Sequence, residues 1–272
     1  MKYKMIISDF DNTIFSHRSM TVPPAVKKAI DAFKAKGGQF VLCTGRMYLA
    51  IKKYALELGL TGEILCLQGS VCYSLDDDRE IFVSDINEET TYELLTFLES
   101  QNWTYQFYHD LRMFTKNKNR YTDIYEQLTD IKATYTEKNV SEVVRENGYS
   151  AHKVIVMTEP EEAEEKIEIL SARFPELDVS QSSAIFIEIV DRNGGKGNGV
   201  KKLCEMKGIP LSKTVVMGDE TNDMSMLLVA GLPCCPDDAV KIVRNASRVI
   251  FPSVHLGGAA DMINAIIDER IG

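Results

Sequence analysis

The sequence predicts an α/β protein: a doubly wound, Rossmann-like and mostly parallel sheet forms the core, and an α+β domain is inserted into it. Three observations carry this expectation. Strand and helix patterns alternate over the first eighty residues and again after Asn193-Gly194-Gly195. Between about residues 86 and 190 the rhythm changes to short strands with tight connections. Polar clusters close three of the apolar strand-like runs, at the strand ends where open α/β sheets place their ligands.

Taken in order, residues 3–9 form a β-rich run that reads as a buried strand. A helix over 23–36 follows Thr21-Val22, carries Pro in its first turn and stops at Gly37-Gly38, the positions those residues favour. Strand 39–43 completes a βαβ unit. Helix 48–58 ends at Gly59, strand 63–67 follows, and the runs 71–75 and 80–84 are split by Asp76-Asp77-Asp78, a turn sequence that predicts a hairpin. The insertion reads as helix 89–100, strands 103–108 and 112–116, helix 121–129, strand 131–135, helix 140–147, strand 153–157, helix 161–174, and strands 177–180 and 184–190. Tight connections there predict antiparallel pairing. The core then resumes with helix 196–206, strand 214–217, helix 222–230, strand 233–235, helix 237–244, strand 248–250 and helix 258–269. The expected division is a core of 1–85 and 191–272 around an insert of 86–190.

With 272 residues, 44% of them hydrophobic and 26% charged, the chain can bury a substantial core. A net charge of −9 argues against nucleic acid as partner, which needs a clustered basic face, but permits a small anionic ligand met by local positive charge. The six cysteines, Cys43, Cys66, Cys72, Cys204, Cys234 and Cys235, lie in apolar contexts without zinc spacing and read as reduced core thiols. On a strand, Cys234 and Cys235 would point to opposite faces. The start of the chain does not read as a secretory leader, since Asp9 cuts its apolar stretch short, and no run has membrane-spanning length. No membrane partner and a cytoplasmic location are therefore expected; oligomeric state is left open.

Four clusters carry chemistry. Asp9 and Asp11 stand two apart at a strand end, where both ionise cheaply only beside a cation; magnesium, which takes one or two carboxylates plus phosphate oxygens, fits. Taken by itself, such a D-x-D pair reads more readily as a strand that ends in an Asx turn. Asp219 and Asp223 add acids after another apolar strand, with Gly218 and Asn222 beside them. Helix capping accounts for Asp223 alone but not for the whole group. Thr44, Gly45 and Arg46 offer a hydroxyl, close backbone approach and a helix entrance, an anion cradle whose plainer reading is a Thr N-cap. Lys196, in Gly194-Gly195-Lys196-Gly197, matches neither a Walker A loop nor a dinucleotide fingerprint, and could neutralise phosphate oxygens.

These four clusters, Asp9-Phe10-Asp11-Asn12-Thr13, Thr44-Gly45-Arg46, Lys196 and Gly218-Asp219-Glu220-Thr221-Asn222-Asp223, resemble the motifs of the haloacid dehalogenase superfamily. The inserted element order resembles its type IIB cap, and the match, nearly end to end, points to the Cof-type sugar-phosphate phosphatases. Asn12 stands where the family usually has Gly, and Asn also accepts left-handed backbone angles. Gln68-Gly69-Ser70 replaces Asn-Gly-Ala, which leaves the role of position 68 open.

The resemblance implies hydrolysis of a small phosphorylated metabolite. Asp9 would be the nucleophile that becomes phosphorylated, and Asp11 the acid and then the base. Magnesium would be held by Asp9, the Asp11 carbonyl and Asp219, with Asp223 behind them. Thr44, Gly45, Arg46, Lys196 and Asn222 would bind phosphate. The insert would act as a lid. A phosphomutase of the same fold is the nearest rival; a dehalogenase needs no metal, and a phosphoreceiver is a smaller single domain. Glu188 matches a position common in the family. Lys116, Lys118 and Arg120 form a small basic cluster that could meet a second phosphate or be a solvated turn. His109 and His152 have no partners at a recognisable spacing.

Overall fold

The computed structural model describes residues 1–271. The core strands are β1 (Met5–Ser8), β2 (Gln39–Leu42), β3 (Glu63–Cys66), β4 (Val71–Ser74) and β5 (Glu80–Val83), with helices α1 (Pro24–Ala35) and α2 (Tyr48–Glu57) between the first three. The insert supplies α3 (Glu88–Ser100), β6 (Thr104–His109), β7 (Arg112–Thr115), α4 (Arg120–Thr129), β8 (Thr134–Tyr135), α5 (Val140–Asn147), β9 (Lys153–Met157), α6 (Ala163–Arg173), β10 (Leu177–Ser183) and β11 (Phe186–Asp191). The chain returns through α7 (Gly195–Lys207), β12 (Thr214–Met217), α8 (Met224–Leu227), β13 (Leu232–Pro236), α9 (Lys241–Ala246), β14 (Val249–Phe251) and α10 (Gly258–Ile267).

The core sheet runs β14-β13-β12-β1-β2, and every pairing in it is parallel. A parallel bridge from Cys43 to Leu65 joins its edge to the antiparallel β3-β4-β5 sheet, whose second turn is the expected hairpin. Alternation sorts β1 to two layers: Ile6 packs with Phe33, Phe40 and Ile263, whereas Met5 and Ile7 pack with Val200, Leu203 and Val216. Cys234 and Cys235 separate in the same way, and all six cysteines are buried and free. The core is thus a doubly wound α/β layer, as the sequence predicts.

The cap sheet runs β10-β11-β9-β6-β7-β8. One face, with Phe107, Val154, Val156, Ile187 and Ile189, packs with Leu94, Val144 and Leu170 of α3, α5 and α6. The alternate residues Tyr108, Ile155, Met157 and Phe186 belong to the same apolar cluster as the core. The cap therefore lies against the core by its sheet face.

Several expectations need correction. Strands β7 and β8 pair parallel, not antiparallel, because α4 intervenes and a crossover helix returns the chain in the same direction. The strand expected over 131–135 is only Thr134–Tyr135. The helix expected over 222–230 is a 3-10 turn at Thr221–Asp223 followed by the four-residue α8, because Asp223 turns its side chain back onto the loop. The helix expected over 237–244 starts at Lys241, after an extended Val240.

Candidate active site

Strands β12, β1 and β2 are neighbours and parallel, so the segments after their last residues meet at one edge of the sheet. Asp9, Thr44 and Asp219 converge there although up to 210 residues separate them. The Asp9 N–H donates to the Met217 carbonyl at 2.8 Å, locking the first loop to the third. Past Asp9 the chain doubles back: the Asn12 N–H donates to the Phe15 carbonyl, and Asn12 has φ of 55°. That is the left-handed region, which Asn tolerates with little strain.

Oxygens of Asp9, Asp219 and Asp223 lie within 4.8 Å of one another, and all three residues are buried. Lys196, in the first turn of α7 and 1% exposed, donates to Asp9 Oδ1 at 2.5 Å and to Asp223 Oδ1 at 2.6 Å. The other Asp223 oxygen accepts the backbone N–H groups of Asp219 and Glu220, at 2.8 and 3.0 Å. Asp223 is therefore saturated and holds its loop. Thr13 donates to Asp219 Oδ1 at 2.7 Å.

Burial pushes the Asp9 carboxyl up to about 7, against the pull of Lys196 and with repulsion from Asp223 and Asp11. Burial, then Asp9 and Asp223, push Asp219 up to about 9. Burial works against the Lys196 charge, but Asp223 and Asp9 more than offset it and raise its pKa well above the ordinary value. Three buried carboxylates thus face one buried lysine.

Asp11 points elsewhere. Its carboxylate takes both arms of the Arg46 guanidinium, Nε at 2.9 Å and Nη2 at 2.6 Å, and lies 2.9 Å from His17 Nε2. Burial alone would raise it, but the bonds from His17 and Arg46 win and hold it down at about 2. Arg46, expected at phosphate, also lies over the Phe10 ring, 5.0 Å from its centre. Thr44 Oγ1 accepts the Arg46 N–H at 3.1 Å within the turn that precedes α2, but Thr44 does not cap that helix, whose N-cap is Met47 with no side-chain bond.

Asn222 donates to Gln68 Oε1 at 3.2 Å, and Gln68 donates to Glu188 Oε2 at 2.7 Å. Glu188 comes from β11 of the cap and is buried. Lys153, on β9 and fully buried, bonds the same Glu188 oxygen at 3.2 Å and the Gly45 carbonyl at 2.8 Å. A polar chain thus runs from core to cap and back to the Thr44-Gly45-Arg46 loop. Gln68 has φ of 62°, which turns its side chain into this chain from a tight bend. Sequence reading missed Lys153; its position in phase with Ile155 and Met157, on the core-facing side of β9, was the available signal.

Between cap and core lies a cleft of about 460 Å³, with Asp9, Asp11, Arg46 and Asp219 on the core side and Tyr125 and Phe186 on the cap side. Lys116, Lys118 and Arg120 do not line it: they bond Asn139, Asp123 and Glu159. His109, Asp110 and His152 also converge, but His152 is spent internally, Nδ1 against Asp85 at 2.5 Å and Nε2 accepting the Asp110 N–H at 2.8 Å.

Residues 6–263 match the model of the haloacid dehalogenase-like hydrolases. The chain belongs to this family. It is similar to phosphatase YwpJ of Bacillus subtilis, with 22% identity over 288 residues that cover 97% of this chain and 100% of that one. Its fold is similar to that of the HAD subclass IIB sugar phosphatase BT4131, with a TM-score of 0.86, 19% identity and coverage of 97% and 98%. It is likewise similar to TM0651 of Thermotoga maritima, with a TM-score of 0.83, 23% identity and coverage of 99% and 98%. A family of hydrolases on a core-plus-cap fold accords with the Cof-type resemblance of the four motifs.

Proposed function

We propose that this chain is a magnesium-dependent phosphatase of small phosphate monoesters that works through a phosphorylated Asp9, with residues 1–85 and 191–272 as catalytic core and 86–190 as cap. The observation that carries the reading is the charge balance of the cluster: Asp9, Asp219 and Asp223 are buried, and among the described residues Lys196 is the one cation bonded to them. Among the described residues, only one oxygen of Asp9 and one of Asp219 takes a hydrogen bond. An all-oxygen donor set short of positive charge fits a hard divalent cation. Asp9, Asp219 and the Asp11 carbonyl would hold it, and Asp223 would fix the loop behind. Bound there, magnesium would keep Asp9 ionised and screen its approach to an anionic phosphate.

The chain's own residues then divide the work. Asp9 attacks phosphorus as the ester P–O bond breaks, and Asp11 gives a proton to the departing alcohol oxygen. Water next attacks phosphorus, Asp11 takes its proton, and the bond to Asp9 breaks to release inorganic phosphate. Thr44, the Gly45 backbone, Lys196 and Asn222 hold the non-bridging oxygens, where charge accumulates. Arg46 joins them once it leaves Asp11, and its departure removes one of the two contacts that hold Asp11 ionised. The cap, held by Lys153 and Glu188, shields the site from bulk solvent while leaving room for the attacking water.

The test is phosphate release from a panel of monoesters. Turnover should require magnesium, vanish with EDTA and return on adding the metal back, and Asp9→Asn should abolish it. Near-normal turnover by Asp9→Asn would refute the assignment. Release without a bisphosphate activator separates a phosphatase from a phosphomutase.

A further inference from the structure

Gln68 stands in a left-handed bend, with φ of 50°, 62° and 79° at Leu67, Gln68 and Gly69. Two successive residues other than glycine in that region carry strain that their surroundings must offset. Gln68 is 4% exposed, and its amide is engaged at both ends. Nε2 donates to Glu188 Oε2 at 2.7 Å, and Oε1 accepts from Asn222 Nδ2 at 3.2 Å.

The direction of these bonds is dictated from the cap. A carboxylate only accepts, so the Gln68 atom that faces Glu188 is the amide nitrogen. Lys153 bonds the same Glu188 oxygen at 3.2 Å and holds it in place. With its nitrogen committed, Gln68 turns its carbonyl to Asn222, and the Asn222 atom that meets it must in turn be a nitrogen. Asn222 Oδ1 is left buried and without a partner among the described residues. A buried acceptor left unpaired is costly, so this orientation is imposed on Asn222 by its neighbours rather than chosen by its own bonding. Gln68, Glu188 and Asn222 each line both the cleft that holds Asp9 and a smaller cavity of about 170 Å³ that reaches Lys196. The three side chains therefore stand as a partition beside the phosphate cradle.

Resting on the phosphatase reading, in which Asn222 holds a non-bridging oxygen, we propose that Gln68 is a positioning residue that sets the Asn222 amide for phosphate under the direction of Glu188. One Asn222 N–H goes to Gln68, and the second serves the phosphate. Reversed, the amide would present a carbonyl oxygen to an anion. Because Glu188 belongs to the cap, phosphate is held well only while the cap is docked.

The experiment is a double-mutant cycle read by calorimetric binding of inorganic phosphate to the full chain with magnesium. Gln68→Met, which keeps the bulk and removes both bonds, should weaken phosphate roughly 10-fold, the scale of one hydrogen bond to a charged group. Asn222→Ala should weaken it at least as much. The two together should be no worse than Asn222→Ala alone, because Gln68 acts only through Asn222. Glu188→Gln, which removes the group that fixes the orientation, should likewise weaken phosphate only where Asn222 is present. With p-nitrophenyl phosphate the same pattern should appear in KM, with kcat changed less. Additive losses, or unchanged phosphate affinity in Gln68→Met, would overturn the proposal, as would a wild-type chain that binds no phosphate. Failure of the wild type to hydrolyse any monoester, with the binding cycle as expected, would instead defeat the phosphatase reading and leave the positioning of Asn222 standing.

Discussion

The guanidinium of Arg46 grips Asp11 by two parallel bonds, Nε to Oδ2 at 2.9 Å and Nη2 to Oδ1 at 2.6 Å, so the residue proposed as the acid is held ionised by a residue proposed to bind phosphate. A fork of this kind is strong and directional. A phosphate drawn into the cradle competes for the same guanidinium, and the Asp11 carboxylate then released is held ionised less strongly. Arg46→Ala should therefore raise the Asp11 titration from about 2 towards the ordinary value of 3.8, read from the carboxyl carbon by NMR without substrate. A titration that stays near 2 would show that His17 suffices by itself.

The buried acids make stability depend on pH in a direction that follows from their shifts. Asp9 and Asp219 have folded pKa values raised above 3.8, to about 7 and about 9. Between pH 4 and 9 the native state therefore holds protons that the unfolded chain has lost, so stability falls as pH rises. Asp11, lowered to about 2, acts oppositely: its contribution is present above pH 3.8 and lost as pH falls through 2. Thermal melts in EDTA should peak near pH 4 and decline towards pH 9. Magnesium should remove much of the decline, adding about 2.7 kcal/mol when present at a hundred times its Kd. A melt that is flat across that range with and without magnesium would count against the charge deficit.

Lys153 and Glu188 are both buried where the cap meets the core, and their shared bonds to Gly45 and Gln68 make them a tether for the phosphate loop. Removing one partner leaves the other charged and unpaired, a loss of about 3–5 kcal/mol. Lys153→Met and Glu188→Gln should each lower the urea midpoint sharply, and the double variant should lose much less than the sum of the two. Simple additivity would mean that the pair is not coupled. Kinetically, Lys153→Met should raise KM by loosening the Gly45 carbonyl.

Much of this site was legible because its chemistry is written in short runs at strand ends. Asn12 could be placed in the left-handed region from its identity and position, and its φ of 55° agrees. Parallel neighbours β12, β1 and β2 then bring Asp9, Thr44 and Asp219 together without any further signal. The cap was less legible because its functional side chains are single residues in alternating strands. A lysine such as Lys153, flanked by His152 and Val154, reads as a solvated strand position, and only the neighbouring domain reveals what faces it. The partners of Asp11 are hidden for a related reason: His17 belongs to no motif, and the Thr44-Gly45-Arg46 run by itself does not show that Arg46 bonds Asp11. The parallel β7–β8 pairing was available, since a helix lies between the two strands, but tight turns elsewhere in the cap outweighed it.

Gly218 shows how little room the third loop allows. A Cβ at this position would lie 2.5 Å from Asp223 Cγ and 2.6 Å from its Cβ, closer than side-chain atoms can approach. Asp223 cannot step aside cheaply, because one of its oxygens is bonded to Lys196 and the other to two backbone N–H groups. Gly218→Ala should therefore cost about 1–3 kcal/mol, the usual range for overpacking, and should also weaken magnesium binding by moving Asp219. Gly45→Ala is the contrasting case: its Cβ would meet the amide end of Gln68 at 2.7 Å, a side-chain tip that can turn aside at the loss of its bonds to Asn222 and Glu188. Urea unfolding of the two variants, with a magnesium titration followed by melting temperature, should rank Gly218→Ala as the more damaging in both readouts. The opposite ranking would mean that the Asp223 loop yields more easily than its three side-chain hydrogen bonds imply.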